Sequence, residues 1–410
     1  MKSVFIRNVA SVLTGSIMAQ AVPIVGALVL ARQYAPAEFG AYSAWLGVVL
    51  FMSVVVTARL EACLAIEPDG QPRKDAVVST LYTIVVMSLL PLVIVAILLL
   101  VRLDYFERFS GVLIWLFVPA ASLVAAVQTY QAWAAAEGMY RRLSLMRISQ
   151  AVSVTGLQVA AGELVPTSLG LGAAYCFGLA VALAAAVTLM PLGRIRWVQL
   201  ITNAKALWYR QRNFPKFSLP ADAMSVAAAQ LPIVIVAARF GADSAGLLAM
   251  AMRMMGAPIT ILAFAVLDVF KRHSADAFRT RGECRAEYVR TFKLLTGVAV
   301  VLSVVLSFGV EFLFGVAFGE LWIGAGAMAL WLLPRYMMGF VASPLSYIVY
   351  VSQKQHIDLL WQLALFGVTM ATFMLLQPLG MAVKAYSLGA AALYVVYLGF
   401  SYRLSKGQLL

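Results

Sequence analysis

Uninterrupted apolar stretches of about twenty residues recur along the whole chain, and nothing else in the sequence limits its fold as much. Each stretch is long enough to cross a hydrocarbon layer of about 30 Å as a helix rising 1.5 Å per residue. Inside lipid the backbone must satisfy its own hydrogen bonds, so helices are the expected form. Twelve spans are predicted, at 9–31, 39–66, 76–101, 111–136, 145–165, 169–192, 217–238, 244–270, 292–314, 321–352, 357–377 and 381–402. The fifth is the least apolar, because it holds Arg147, Gln150, Gln158 and Glu163. The predicted fold class is an all-α integral membrane protein.

Charge supports that reading. Only 12% of the 410 residues are charged, against about 25% in soluble domains. A net charge of +13 would suggest nucleic acid in a soluble chain, but here the positive-inside rule accounts for it and no nucleic-acid partner is expected. With both termini cytoplasmic, the outer face holds only Arg32, Arg102, Arg108, Arg239 and Lys384, while Arg59, Arg253 and Arg335 fall inside spans. Every other Lys and Arg faces the cytoplasm. A miscounted span would scramble this asymmetry, so it argues for the span count and the orientation together. The first apolar run continues to Leu30, too long for a signal-peptide core, and the first helix is expected to be kept.

A repeat links the two halves. Residues 20–40 read QAVPIVGALVLARQYAPAEFG and residues 230–246 read QLPIVIVAARFGADSAG. Each has Gln, then Pro-Ile-Val, an Arg at the outer end and a short acidic turn closed by Gly. Two six-helix lobes are predicted, 1–202 and 203–410, related by an axis along the membrane normal. The basic connection between them carries Trp197, Leu200, Ile201, Ala204 and Trp208 at helical spacing, which reads as an interfacial helix on the inner leaflet.

Ionisable and polar groups inside spans are the functional candidates. Arg253 sits nine residues into its span, about 14 Å deep, and Arg335 lies at similar depth. Arg59 and Glu61 are two apart, so on a continuous helix they do not face each other and do not neutralise one another. Arg59 and Glu61 either snorkel to headgroups at the cytoplasmic end or join a cationic cavity; Arg253 and Arg335 either line that cavity or form buried pairs with Glu61 or Asp222. In the tenth span Arg335, Gly339, Ser343, Ser346 and Tyr350 share one face. In the fourth, Gln128 and Gln131 share a face near Tyr130 and Trp133. Amides, hydroxyls and rings suit a sugar; the same groups also serve as polar glue between helices. His273 and His356 are assigned to loops. Cys63, Cys176 and Cys284 have neither metal spacing nor a disulfide framework. The absence of a P-loop, a DxD motif, a metal cluster and a membrane-embedded histidine argues against an enzyme and against a bound cofactor.

The segments ARQYAPAEFGAYS at 31–43 and TARLEACL at 57–64 resemble the Wzx-type O-antigen and polysaccharide flippases of the multidrug/oligosaccharidyl-lipid/polysaccharide exporter superfamily. The resemblance implies two lobes in a V that opens alternately to either side of a bacterial inner membrane. It implies a lipid substrate, an undecaprenyl-diphosphate-linked oligosaccharide, with polysaccharide-assembly proteins and membrane lipids as partners. Arg59, Arg253 and Arg335 then bind the diphosphate, with Gln128, Gln131 and Tyr350 toward the sugars. Coupling to H⁺ or Na⁺ through Glu61 or Asp222 is left open. A multidrug exporter, a lipid II flippase, and an enzyme or scaffold of envelope assembly are the alternatives.

Overall fold

The computed structural model describes residues 2–93, 111–193, 197–352, 354 and 356–407. Among these residues the structure is helical, with no strand. The chain divides into two compact units, 1–230 and 231–410.

The first unit opens with α1 (Lys2–Gln33) and α2 (Pro36–Thr57), joined by a two-residue corner. Pro36 occupies the first turn of α2, where its missing N–H costs nothing. After the short α3 (Leu60–Cys63) come α4 (Gln71–Met87), α5 (Gly111–Trp115) and α6 (Phe117–Ala136). Then follow α7 (Tyr140–Leu164), α8 (Ser168–Leu189) and the amphipathic α9 (Leu200–Arg210). In chain order the remaining helices are α10 (Leu219–Phe240), α11 (Ala242–Arg281) and α12 (Arg285–Phe318). α13 (Ile323–Leu345), α14 (Tyr347–Val351), α15 (His356–Leu375) and α16 (Leu379–Ser405) complete the chain. The division between units falls inside α10.

Twelve of these helices correspond to the twelve expected spans. Among the described residues nine are long and apolar enough to cross a membrane, with Met18–Gln33 as a shorter apolar helix. The fifth, α7, falls outside the nine because of its polar residues, and the side chains of 257–265 in the eighth, α11, lie outside the described residues. α7 can carry that polarity because it lies between α1 and α8. Its Gln158 is buried and donates to the Tyr42 hydroxyl at 2.7 Å.

Packing repeats from one unit to the other. In the first unit the second and third spans lie on the fourth, and the fourth and fifth lie on the sixth. In the second unit the eighth and ninth lie on the tenth, and the tenth and eleventh on the twelfth. The ends match too. Gln33 and Tyr34, at the end of α1, reach α7 through Glu163 (2.6 Å) and the Gln158 carbonyl (2.9 Å). Arg239, at the end of α10, donates to the Phe373 (2.7 Å) and Leu376 (3.2 Å) carbonyls at the end of α15. The repeated order of helix contacts covers the second to sixth and the eighth to twelfth spans.

Several expected elements need correction. The second span is not continuous over 39–66. α2 stops at Thr57, and Ala58 and Arg59 adopt left-handed conformations (φ 49° and 58°). The tenth span is divided at Ser346 between α13 and α14. His273 lies within α11 and His356 begins α15, so neither is in a loop. Residues 94–101 of the third span, Arg102, Arg108, Arg194 and Arg196 lie outside the described residues.

The helix expected in the basic connection is present as α9. It docks on α4, burying Ala204 and Leu207 and leaving Ile201 and Tyr209 exposed. Trp208 donates to the Thr83 hydroxyl at 3.1 Å. Arg210 and Gln211 both bond to the buried Glu67 carboxylate, each with a 2.7 Å contact.

Candidate functional site

The break after α2 brings together charges that a continuous helix would separate. Turning the chain through two left-handed residues redirects the side chain of Arg59 relative to that of Glu61. Arg59 Nη1 then lies 2.8 Å from Glu61 Oε1, and Nε lies 2.6 Å from Asp222 Oδ2. The expectation that Arg59 and Glu61 do not neutralise one another is therefore overturned: the spacing rule presumes a helix that ends two residues earlier. Asp222 stands in the first turn of α10, where the helix dipole favours an anion. Glu61 is almost wholly buried, and its Oε2 has no hydrogen-bond partner. One guanidinium serves two carboxylates here, and both acids that the sequence offered to the deeper arginines are engaged by Arg59.

Beside this triad Arg73 ties the same end of the unit together. It donates to the Leu64 (3.0 Å), Glu67 (2.7 Å) and Ala136 (3.4 Å) carbonyls and pairs with Asp69 and Glu137. The C-terminal carbonyls of α3 and α6 lack intrahelical partners, and a buried cation satisfies them. The sequence counted Arg73 only for sidedness.

The fourth-span glutamines separate. Gln131 donates to Gln150 of α7 at 2.8 Å, while Gln128 is exposed. Arg253 is half-buried on α11. The side chain of Tyr350 lies outside the described residues.

The second unit holds the more developed constellation. On α13 the Arg335 guanidinium lies 5.0 Å from the ring centre of Tyr336 and 5.1 Å from that of Tyr386. Ring faces attract a guanidinium and leave its N–H edge available to acceptors. The Tyr336 hydroxyl is anchored on the Met252 carbonyl at 3.0 Å. Arg335 Nε and Tyr386 Oη are buried without hydrogen-bond partners.

Two to three turns along the same face, Ser343 and Ser346 line an open cleft of about 150 Å³ with Asp358, Trp361, Tyr394 and Tyr397. Trp361 packs on Tyr394 (4.9 Å between centres) and on Tyr397 (5.8 Å), and its indole N–H is buried without a partner. Tyr394 also lies against Gly339, where an added Cβ would come within 3.3 Å of the ring. The polar stripe expected on the tenth span is thus realised from Arg335 to Ser346, facing an aromatic wall. The sequence did not single out Asp358, Trp361, Tyr394 or Tyr397. The available signal was the pairing of these residues at three-residue spacing inside otherwise apolar spans.

The fold is shared with multidrug MATE transporters and a lipid flippase. Superposition on the lipid II flippase MurJ in an inward closed conformation gives a TM-score of 0.73 at 10% identity, over 96% of this chain and 90% of that one. An inward-facing multidrug MATE transporter gives 0.67 at 11% identity, over 94% of each chain. The Vibrio cholerae MATE transporter VcmN, as a mutant, gives 0.56 at 11% identity, over 98% and 95%. No protein-family model and no curated protein sequence matches the chain.

Proposed function

We propose that the protein is a membrane exporter of this fold that moves a lipid-linked oligosaccharide, carried on a diphosphate, from the inner to the outer leaflet of a bacterial inner membrane. The observation that carries the reading is Arg335, cradled by two tyrosine rings beside the cleft of Trp361, Tyr394, Tyr397, Asp358 and two serines. A guanidinium binds phosphate oxygens through charge-assisted bonds. Rings stack on the C–H faces of sugars, while a carboxylate and hydroxyls take the sugar hydroxyls. The resemblance of 31–43 and 57–64 to polysaccharide flippases supports the same substrate class. Moving an anion outward from a negative interior gains about 2.3 kcal/mol per charge per 100 mV, so the membrane potential favours export. Glu61 and Asp222 are the carboxylates on which coupling to H⁺ or Na⁺ would act.

A second reading has its own support. An acid beside three aromatic rings also suits an organic cation, which is the chemistry of a multidrug exporter. The test is transport by the purified full chain in vesicles. A diphosphate-linked oligosaccharide and a lipophilic organic cation are offered separately under an imposed potential. The proposal expects flipping of the lipid-linked sugar, lost in Arg335→Ala. Cation transport without sugar flipping would reverse the order of the two readings.

A further inference from the structure

At the basic end of the second unit, a cleft of about 610 Å³ opens between α11 and α12. Its floor is apolar, with Val266, Phe270 and Leu294, and its rim carries His273, Glu287 and Arg290. Three neighbouring cations are already engaged. Arg281 pairs with Glu287 at 2.5 Å, Lys271 sits over the Tyr347 ring and Arg285 over the Tyr402 ring. Arg290 is exposed and makes no ion pair or hydrogen bond among the described residues. With Glu287 neutralised by Arg281, the mouth of the cleft presents Arg290 and His273.

The apolar lining continues beyond the cleft. Leu294 continues along α12 into Val298, Val301, Val305, Phe308 and Phe312, all exposed. These steps of three or four residues keep one face of the helix apolar over several turns. A cationic mouth joined to an apolar rail matches one kind of molecule, a phosphate bearing an acyl chain. The mouth lies at the cytoplasmic end in the orientation set by basic residues, where anionic lipids concentrate.

We infer that this cleft seats an anionic glycerophospholipid of the inner leaflet, its phosphate held by Arg290 and His273 and one acyl chain lying along Leu294 to Phe312. The assignment is independent of the exported substrate, because it uses none of the residues around Arg335. A bare phosphate would leave the apolar floor unfilled.

The test uses the purified full chain in detergent, with thermal unfolding and native mass spectrometry as readouts. Phosphatidylglycerol and phosphatidylcholine of matched chains are compared, with glycerol phosphate and undecaprenyl phosphate as further arms. Phosphatidylglycerol is expected to raise the unfolding temperature more than phosphatidylcholine does. Arg290→Gln should weaken its binding about fivefold, the usual contribution of one basic residue at a lipid surface. Arg290→Lys should retain most binding, and Arg212→Gln, on the other unit, should retain all of it. If Arg290→Gln fails to fold, Arg290→Lys with His273→Gln carries the comparison. Equal effects of the two phospholipids, or an undiminished response in Arg290→Gln, would overturn the assignment. So would glycerol phosphate acting as strongly as the lipid. Displacement of phosphatidylglycerol by equimolar undecaprenyl phosphate would give the cleft to the carrier lipid instead.

Discussion

Arg59 and Arg335 are both cations within the helical body, but their surroundings differ. Arg59 has two carboxylates within 2.8 Å, whereas the Arg335 guanidinium lies 5.0 and 5.1 Å from two ring centres. Removing Arg59 strands Glu61. Breaking a buried pair costs about 3–5 kcal/mol and an exposed one under about 1 kcal/mol, so this half-buried pair should cost about 2 kcal/mol. Arg59→Ala should therefore unfold at lower temperature in detergent, and adding Glu61→Gln should recover most of the loss. An Arg59→Ala protein of full stability would remove the pair from the account. At Arg335 the expectation is reversed. Arg335→Ala should remain stable and lose export, because no buried acid is stranded. Arg335→Lys should keep part of the activity, since charge persists and the planar fork is lost. Equal activity of the Lys and Ala variants would remove charge from the mechanism.

At the scale of elements, close helix contacts depend on small residues, as expected where lipid offers no hydrophobic drive to association. Gly178 of α8 lies so close to α7 that an added Cβ would stand 2.5 Å from the Val154 Cα. Gly178→Ala should destabilise the first unit by about 1–3 kcal/mol. Gly399→Ala, where a Cβ meets nothing within 4 Å, should not. Thermal unfolding of the two variants side by side checks this, and equal behaviour would contradict it. The segment that carries the family resemblance has a structural task at this scale. Tyr34 bonds to the Gln158 carbonyl, Pro36 starts α2, and Glu38 accepts from Ser168 N–H at the start of α8. These contacts pin the corner between the first two spans to the fifth and sixth. The spans were legible because lipid imposes length and apolarity. The break after Thr57 was not, since Thr57-Ala58-Arg59-Leu60 contains neither Gly nor Pro. The role of Arg73 was hidden for another reason: its carbonyl acceptors lie up to 63 residues away in sequence. The aromatic cleft was half legible, through the stripe on α13 and not through its facing wall on α15 and α16.

For the whole molecule, the second to sixth and the eighth to twelfth spans pack in the same order in the two units, and the fold is shared with MATE transporters and MurJ. The basic asymmetry predicts an orientation with both termini cytoplasmic. A reporter active only in the periplasm, fused at the C-terminus, should be silent, and strong activity would overturn the sidedness. The central claim is that Arg335 and its aromatic cleft move a diphosphate-linked oligosaccharide. The most direct measurement is the amount of lipid-linked oligosaccharide in membranes of a deletion strain complemented by wild-type or variant chains. The account predicts accumulation in the deletion strain, relief by the wild-type chain and no relief by Arg335→Ala expressed at the same level. Absence of accumulation on deletion, or full relief by an Arg253→Ala, Arg335→Ala double variant, would contradict it.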